Sequence, residues 1–302
     1  MNITEQAITF ICSGERLVGV ACIPEVPRST GVVVIVGGPQ YRVGSHRQFL
    51  LLSRSLASSG YTVMRFDYRG MGDSHGDIRN FENVNDDIAA AINEFVARYP
   101  QVRRVVLWGL CDAASAALLY WDERRDQRVV GFCLLNPWVR SDASLAITHI
   151  KHYYGQRLLQ REFWEKLLKG EAKLTAALQG LVSSWRVSQA AKGKDRTTET
   201  DGFQGRMARA LREFNGRVIF ILSGNDYTTK EFLEYTANDP LWRGVFNESL
   251  VARIAIPEAD HTFSSKAWRA DVANATLKWL MGLDRPQRQT LVASADLLRD
   301  RE

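Results

Sequence analysis

Apolar residues fall along the chain in short bursts separated by longer, mixed stretches. The bursts are of strand length: GVVVIV at 31–36, YTVMRF at 61–66, RRVVLW at 103–108, VVGFCLL at 129–135, RVIFIL at 217–222 and VARIAI at 251–256. Two further runs, 6–12 and 16–23, flank Ser13-Gly14 and predict a hairpin. The intervening stretches carry apolar residues at helical spacing and predict helices over about 46–59, 83–98, 112–122, 228–236 and 265–281. Strand and helix in alternation predict a doubly wound α/β domain, with a mostly parallel sheet covered on both faces.

The rhythm breaks between Asn136 and about Phe203. Helical segments rich in Leu, Trp, Tyr, Lys and Arg are followed there by the polar run QAAKGKDRTTETDG. A segment of that length is too long for an ordinary connection between two strands. The expected organisation is a core at 1–139, a helical cap insertion at 140–204, the rest of the core at 205–283 and a polar tail at 284–302. There are no internal repeats.

Composition narrows the class. At 302 residues and 45% hydrophobic content the chain can bury a substantial core. Its 39 Lys and Arg against 34 Asp and Glu give +5, spread along the chain with no basic block, so no nucleic-acid partner is expected. No apolar run reaches transmembrane length, and the N-terminus lacks the charged and apolar regions of a secretory signal. Cys12, Cys22, Cys111 and Cys133 show no metal-ligand spacing, which fits reduced thiols in a cytoplasm. No metal or cofactor is expected. His149 and His152 stand three apart in the insertion without a third ligand of suitable spacing, and Tyr153, Tyr154, Phe163 and Trp164 read as cap packing.

Candidate chemistry centres on VVLWGLCDAASAALLYW at 105–121. A buried strand turns sharply into an alanine-rich helix, and the turn carries a cysteine between two small residues, Gly109 and Ala113. Small neighbours let strand and helix approach closely, so the residue between them stands exposed on a strained backbone. The N-terminus of the following helix stabilises negative charge on the sulfur. Cys12, Cys22 and Cys133 lie in strand-like runs and read as small core hydrophobes.

Partners for Cys111 follow in the order nucleophile, acid, histidine. SGNDYT after the 217–222 strand puts Asp226 on one loop, and PEADHTFS after the 251–256 strand puts His261 on the next. Loops at the C-terminal edge of a parallel sheet open on the same side, so the three residues can meet. His261, oriented by Asp226, is the expected base for the Cys111 thiol. An oxyanion needs two amide donors. Asp112 N–H is one; the loop GGPQYRVGSHRQF supplies the other, from Gly38 with Gln40 in reserve, since Pro39 has no N–H. Tyr41, Arg42 and His46 are candidates for substrate binding at the rim, where Arg42, Arg47 and Arg69 form a basic group, although a helix-start role for His46 with Ser45 as N-cap fits equally. Asp112 also suits a helix start by dipole complementarity, and Asp67 the bracing of its own loop.

These motifs resemble the α/β-hydrolase superfamily, including DYRGMGDS at 67–74, similar to a loop that braces the active-site side of its sheet. VGGPQYRVGSHRQF, WGLCDAASAALLY and ADHTFS together are similar to the exosortase A system-associated hydrolase 1 family, whose members are encoded with exopolysaccharide and protein-sorting machinery in Gram-negative bacteria. The resemblance implies an α/β-hydrolase fold with a cap. Two positions depart from the superfamily: cysteine replaces serine at the turn, as in dienelactone hydrolases, and Val36 replaces the histidine that usually opens the oxyanion motif. Thiolate chemistry favours activated esters, thioesters or lactones over amides. The leading expectation is therefore a cysteine-dependent hydrolase of a small acyl ester or thioester. Acyl transfer by the same groups and a catalytically silent binding protein remain alternatives.

Overall fold

The eight apolar runs form eight strands: β1 (Ile3–Cys12), β2 (Glu15–Pro24), β3 (Thr30–Ile35), β4 (Val63–Phe66), β5 (Arg104–Leu110), β6 (Val129–Leu135), β7 (Arg217–Ser223) and β8 (Val251–Ile256). They make one sheet in the order β1-β2-β4-β3-β5-β6-β7-β8. β1 and β2 form the antiparallel hairpin, β2 pairs antiparallel with β4, and from β4 to β8 every pairing is parallel. The structure is a computed structural model and describes residues 2–38, 40–140, 202–247 and 250–284.

Both faces of the central strands are buried. Val33 and Ile35 of β3 enter one apolar cluster, while Val32 and Val34 enter the other. Leu107, Phe132 and Phe220 likewise face one way, and Trp108, Cys133 and Ile219 the other. Two-sided burial is why these segments read as continuous apolar runs. On the second face lie α1 (Gln48–Ser58), through Phe49, Leu52 and Leu56, and α6 (Lys266–Leu283), through Val272 and Leu280. The first is covered by α2 (Asn85–Arg98), α3 (Asp112–Arg124), α4 (Phe203–Glu213) and α5 (Tyr227–Asn238). No helix among the described residues is long and apolar enough to cross a membrane.

The structure departs from expectation at two helices. The first begins at Gln48, two residues late, because His46 and Arg47 hold φ of 52° and 61° and break the helical path; Arg47 is its N-cap, so Ser45 is not. The second, α4, lies beyond the expected helices: Met207, Ala208 and Leu211 form its buried face, and Arg206, Arg209 and Arg212 share the other side. Those arginines have partners elsewhere: Arg206 and Arg209 both reach the buried Asp122 of α3. Residues 141–201 of the expected cap, with His149, His152, Tyr153, Tyr154, Phe163 and Trp164, lie outside the described residues, as does the tail from 285.

β3 sits between β4 and β5, so the chain leaves β3 to one side and later returns on the other. Such a switch of direction opens a crevice at the strand ends. The register pairs Ile35 with Gly109, which sets the loop after β3 directly against the turn after β5.

Beyond the opposite ends of the strands, α6 closes onto the sheet through one carboxylate. Asp284 accepts from Thr30 Oγ1 at 2.7 Å, Tyr61 Oη at 2.9 Å and Arg104 at 2.6 Å, with Arg28 at 3.8 Å. One side chain thus ties the last helix to the starts of three strands. Removing one partner of such a network leaves the others unpaired, so Asp284→Ala should cost about 2–4 kcal/mol. Equilibrium unfolding in urea measures it.

Candidate active site

β5 ends at Leu110 and α3 begins at Asp112, so the whole reversal falls on Cys111, at φ 64° and ψ −127°. The geometry depends on close packing. A Cβ built on Gly109 would stand 2.6 Å from the Ala113 backbone. Main-chain bonds hold the turn: Cys111 N–H donates to Leu135 O at 2.8 Å, and Cys111 O accepts from Ala114 N at 3.0 Å and Trp138 N at 3.3 Å. Cys111 is half-buried, whereas Cys12, Cys22 and Cys133 are buried. Burial raises all three of those thiols, Cys22 to about 11 and Cys133 to about 12, which suits core residues.

The acid stands at the N-cap of α5. Asp226 accepts from the amides of Thr228 at 3.1 Å and Thr229 at 3.2 Å and from the Thr229 hydroxyl at 3.0 Å. His261 Nδ1 lies 2.8 Å from Asp226 Oδ2. A carboxylate only accepts, so Nδ1 carries the hydrogen and Nε2 is left for another partner. Burial pulls the Asp226 carboxyl upward, but the His261 hydrogen bond and charge, with the Thr228 amide and Thr229 hydroxyl, outweigh it and hold the pKa below the usual range. The imidazole is pushed up to about 10, by the Asp226 hydrogen bond first and then by the Cys111 sulfur, against a burial penalty. The sheet edge therefore brings the carboxylate, imidazole and thiol into one electrostatic group. No cluster of His, Cys, Asp or Glu among the described residues could hold a metal ion.

The oxyanion region differs from expectation. Gly38 N–H is not free: it donates to Asp112 Oδ2 at 2.9 Å. The carboxylate lies flat against Gly37, whose added Cβ would stand 2.1 Å from Asp112 Oδ1. Asp112 begins its helix, as the dipole argument expected, but its carboxylate also takes the loop amide chosen as a donor. Gln40 is half-buried and its side chain is turned back on the loop, with Oε1 accepting from Ser45 N at 3.1 Å.

The expected rim is also changed. Arg42 pairs with the buried Asp67 and, at 2.6 Å, with Asp73, so its guanidinium braces the loop and is not free for an anionic substrate. Arg69 is buried against Asp87 at 2.7 Å and likewise leaves the basic group. Asp67 does brace its own loop, accepting from Arg42 N at 2.6 Å and Asp73 N at 3.1 Å. Tyr41 is exposed, with Arg42 stacked 5.9 Å from its ring centre. His46 is exposed too.

Asn136 is a residue that the sequence reading passed over. Fully buried at the end of β6, it donates to Ser223 Oγ at 2.8 Å and His261 O at 3.1 Å and accepts from Ser223 N at 2.9 Å. It thereby ties the histidine loop to the strand that carries the acid. The signal available was an Asn-Pro pair closing an apolar strand.

With this geometry in place, comparison with known proteins gives a consistent placement. Residues 27–251 match the family model described as serine aminopeptidase, S33. No curated protein sequence is significantly similar to the chain. Among solved structures, an esterase of Pyrococcus furiosus superposes with a TM-score of 0.62 at 15% identity, covering 93% of each chain. Est1E of Butyrivibrio proteoclasticus, solved with ferulic acid bound, gives 0.59 at 12% identity over 92% of this chain and 99% of its own. A serine hydrolase homologue from Coxiella burnetii gives 0.56 at 14% identity over 93% and 99%. At such identities these structures speak for the fold alone. By its family match and its sheet, the chain belongs to the serine aminopeptidase, S33 family and has the α/β-hydrolase fold, with a cysteine at the strand-to-helix turn.

Proposed function

We propose that the protein is a cysteine-dependent hydrolase of carboxylic esters or thioesters that works through an acyl-cysteine intermediate. The observation that carries this reading is the hydrogen bond from His261 to Asp226 beside Cys111 on its strained turn, whose sulfur helps to raise the same imidazole. A core cysteine needs neither the turn nor the two partners. Raised to about 10, His261 already holds on Nε2 the proton taken from Cys111; the sulfur attacks the acyl carbon, and the tetrahedral intermediate collapses when the imidazolium gives that proton to the leaving group. Water then enters with His261 as base, and the acid leaves as the thiol is restored. Asp226 holds the ring and stabilises its charge throughout.

The three-motif match supports placing the chain within the exosortase A system-associated hydrolase 1 family, and with it an acyl group tied to exopolysaccharide production. Hydrolysis follows where water reaches the acyl-cysteine; a sugar hydroxyl there would give transfer instead.

Turnover of p-nitrophenyl and thioester substrates should fall at least about a thousandfold in Cys111→Ala, and mass spectrometry of the parent protein should find the acyl adduct on Cys111. Equal rates in the variant would remove the reading. The ring makes a second prediction. His261 is raised from 6.5 to about 10, so its contribution to folding is complete below about pH 6.5 and disappears as the pH climbs toward 10. The stability difference between the parent and His261→Gln, followed by thermal unfolding, should shrink across that window. A difference that grows with pH would contradict the ionised pair.

A further inference from the structure

A cavity lies between α1 and α6, against the loop that carries His261. Gln48 and Leu52 of α1, Trp108 of β5, Phe263 of the histidine loop, and Arg269 and Val272 of α6 line it. Counted with its open mouth it holds about 250 Å³, below the roughly 300–1,000 Å³ of sites for drug-sized ligands, so an occupant must be small. Its walls are aromatic and aliphatic except at two residues. Gln48 is 7% exposed, and its Nε2 is buried without a hydrogen-bond partner among the described residues. Arg269 donates to Ser264 O and has no carboxylate partner among the described residues. Asp260, on the same loop, is bound instead to the amides of Thr262 at 3.2 Å and Ser264 at 2.9 Å and to the Ser264 hydroxyl. The Trp108 ring N–H is taken by Thr276 Oγ1 at 3.4 Å.

A buried N–H left without an acceptor is unfavourable, and it marks a place where an acceptor belongs. The groups left over here are donors, on an amide and a guanidinium, and a carboxylate is a small group that only accepts. A guanidinium also matches it in charge and shape. We propose that this cavity binds a short-chain carboxylate, with its oxygens on Gln48 and Arg269 and its alkyl tail against Leu52, Trp108, Phe263 and Val272. Phe263 stands two residues after His261 at φ 51°, so the occupant touches the loop that carries the imidazole. Cys111 is not among the lining residues, and the inference does not rest on the acyl-cysteine reading.

The test is isothermal titration calorimetry with sodium butyrate, against sodium chloride of equal ionic strength, in the parent, Gln48→Leu, Gln48→Glu, Arg269→Gln and Cys111→Ala. Kd should rise at least about tenfold in Gln48→Leu and in Arg269→Gln, because each removes a donor to a charged acceptor. Gln48→Glu sets a carboxylate in the ligand's place and should abolish binding. Cys111→Ala should bind as the parent does, and 1-butanol, with the same tail and no charge, should bind at least about tenfold more weakly. The melting temperature of Gln48→Leu should be no lower than the parent's, because the amide it removes has no partner. No heat in the parent, an unchanged Kd in Gln48→Leu or Arg269→Gln, equal binding of 1-butanol, or a lowered melting temperature in Gln48→Leu would overturn the site. Binding lost in Cys111→Ala would move the butyrate to the catalytic turn and overturn it too, while leaving the acyl-cysteine reading intact.

Discussion

Where β5 meets α3, the backbone of Cys111 is held at φ 64° and ψ −127°, a conformation that costs an L residue on the order of 1–3 kcal/mol and persists only where its surroundings fix it. The surroundings here are specific. Gly109 lets the strand touch the Ala113 backbone, Leu135 O takes the Cys111 amide, and Trp138 N reaches back to Cys111 O. Because β3 and β5 are paired through Ile35 and Gly109, the same approach presses the Gly37-Gly38 segment against the first turn of α3. The thiol, the loop beside it and the helix below it are therefore placed by one packing arrangement.

Around this turn two carboxylates of like chemistry are treated in opposite ways. Asp226 is buried but fully supplied with donors from Thr228, Thr229 and His261, and it remains ionised. Asp112 is half-buried with one oxygen on Gly38 and the other without a partner among the described residues, and burial raises its pKa. The difference lies in the count of donors and not in distance from the sheet. It leaves Asp226 a permanent counterion for the imidazole.

The arginines show a related economy. Arg42, Arg69, Arg206 and Arg209 are all drawn into ion pairs with Asp67, Asp87 or Asp122, carboxylates that are themselves almost completely buried. Taking one such partner away would strand a charge inside the protein. These pairs hold loops and helices in place, so these four arginines serve the structure.

The sequence by itself determined the strands, the order of the three site loops and the turn at Cys111. Those features are local or periodic: two-sided burial writes continuous apolar runs, and a Gly-x-Cys-x-Ala turn needs only five adjacent residues. It also placed Asp226 and His261, because a parallel sheet sends every strand's C-terminal end to the same edge. Tertiary structure decided what each polar side chain is bonded to. That Arg42 faces two aspartates, that Asp112 claims the Gly38 amide, that Arg206 and Arg209 of α4 converge on Asp122 and that Asn136 anchors the histidine loop all depend on contacts between residues distant in sequence. Hydrogen-bond donors and charges find partners by proximity in space, and no periodicity along the chain records which partner will be nearest.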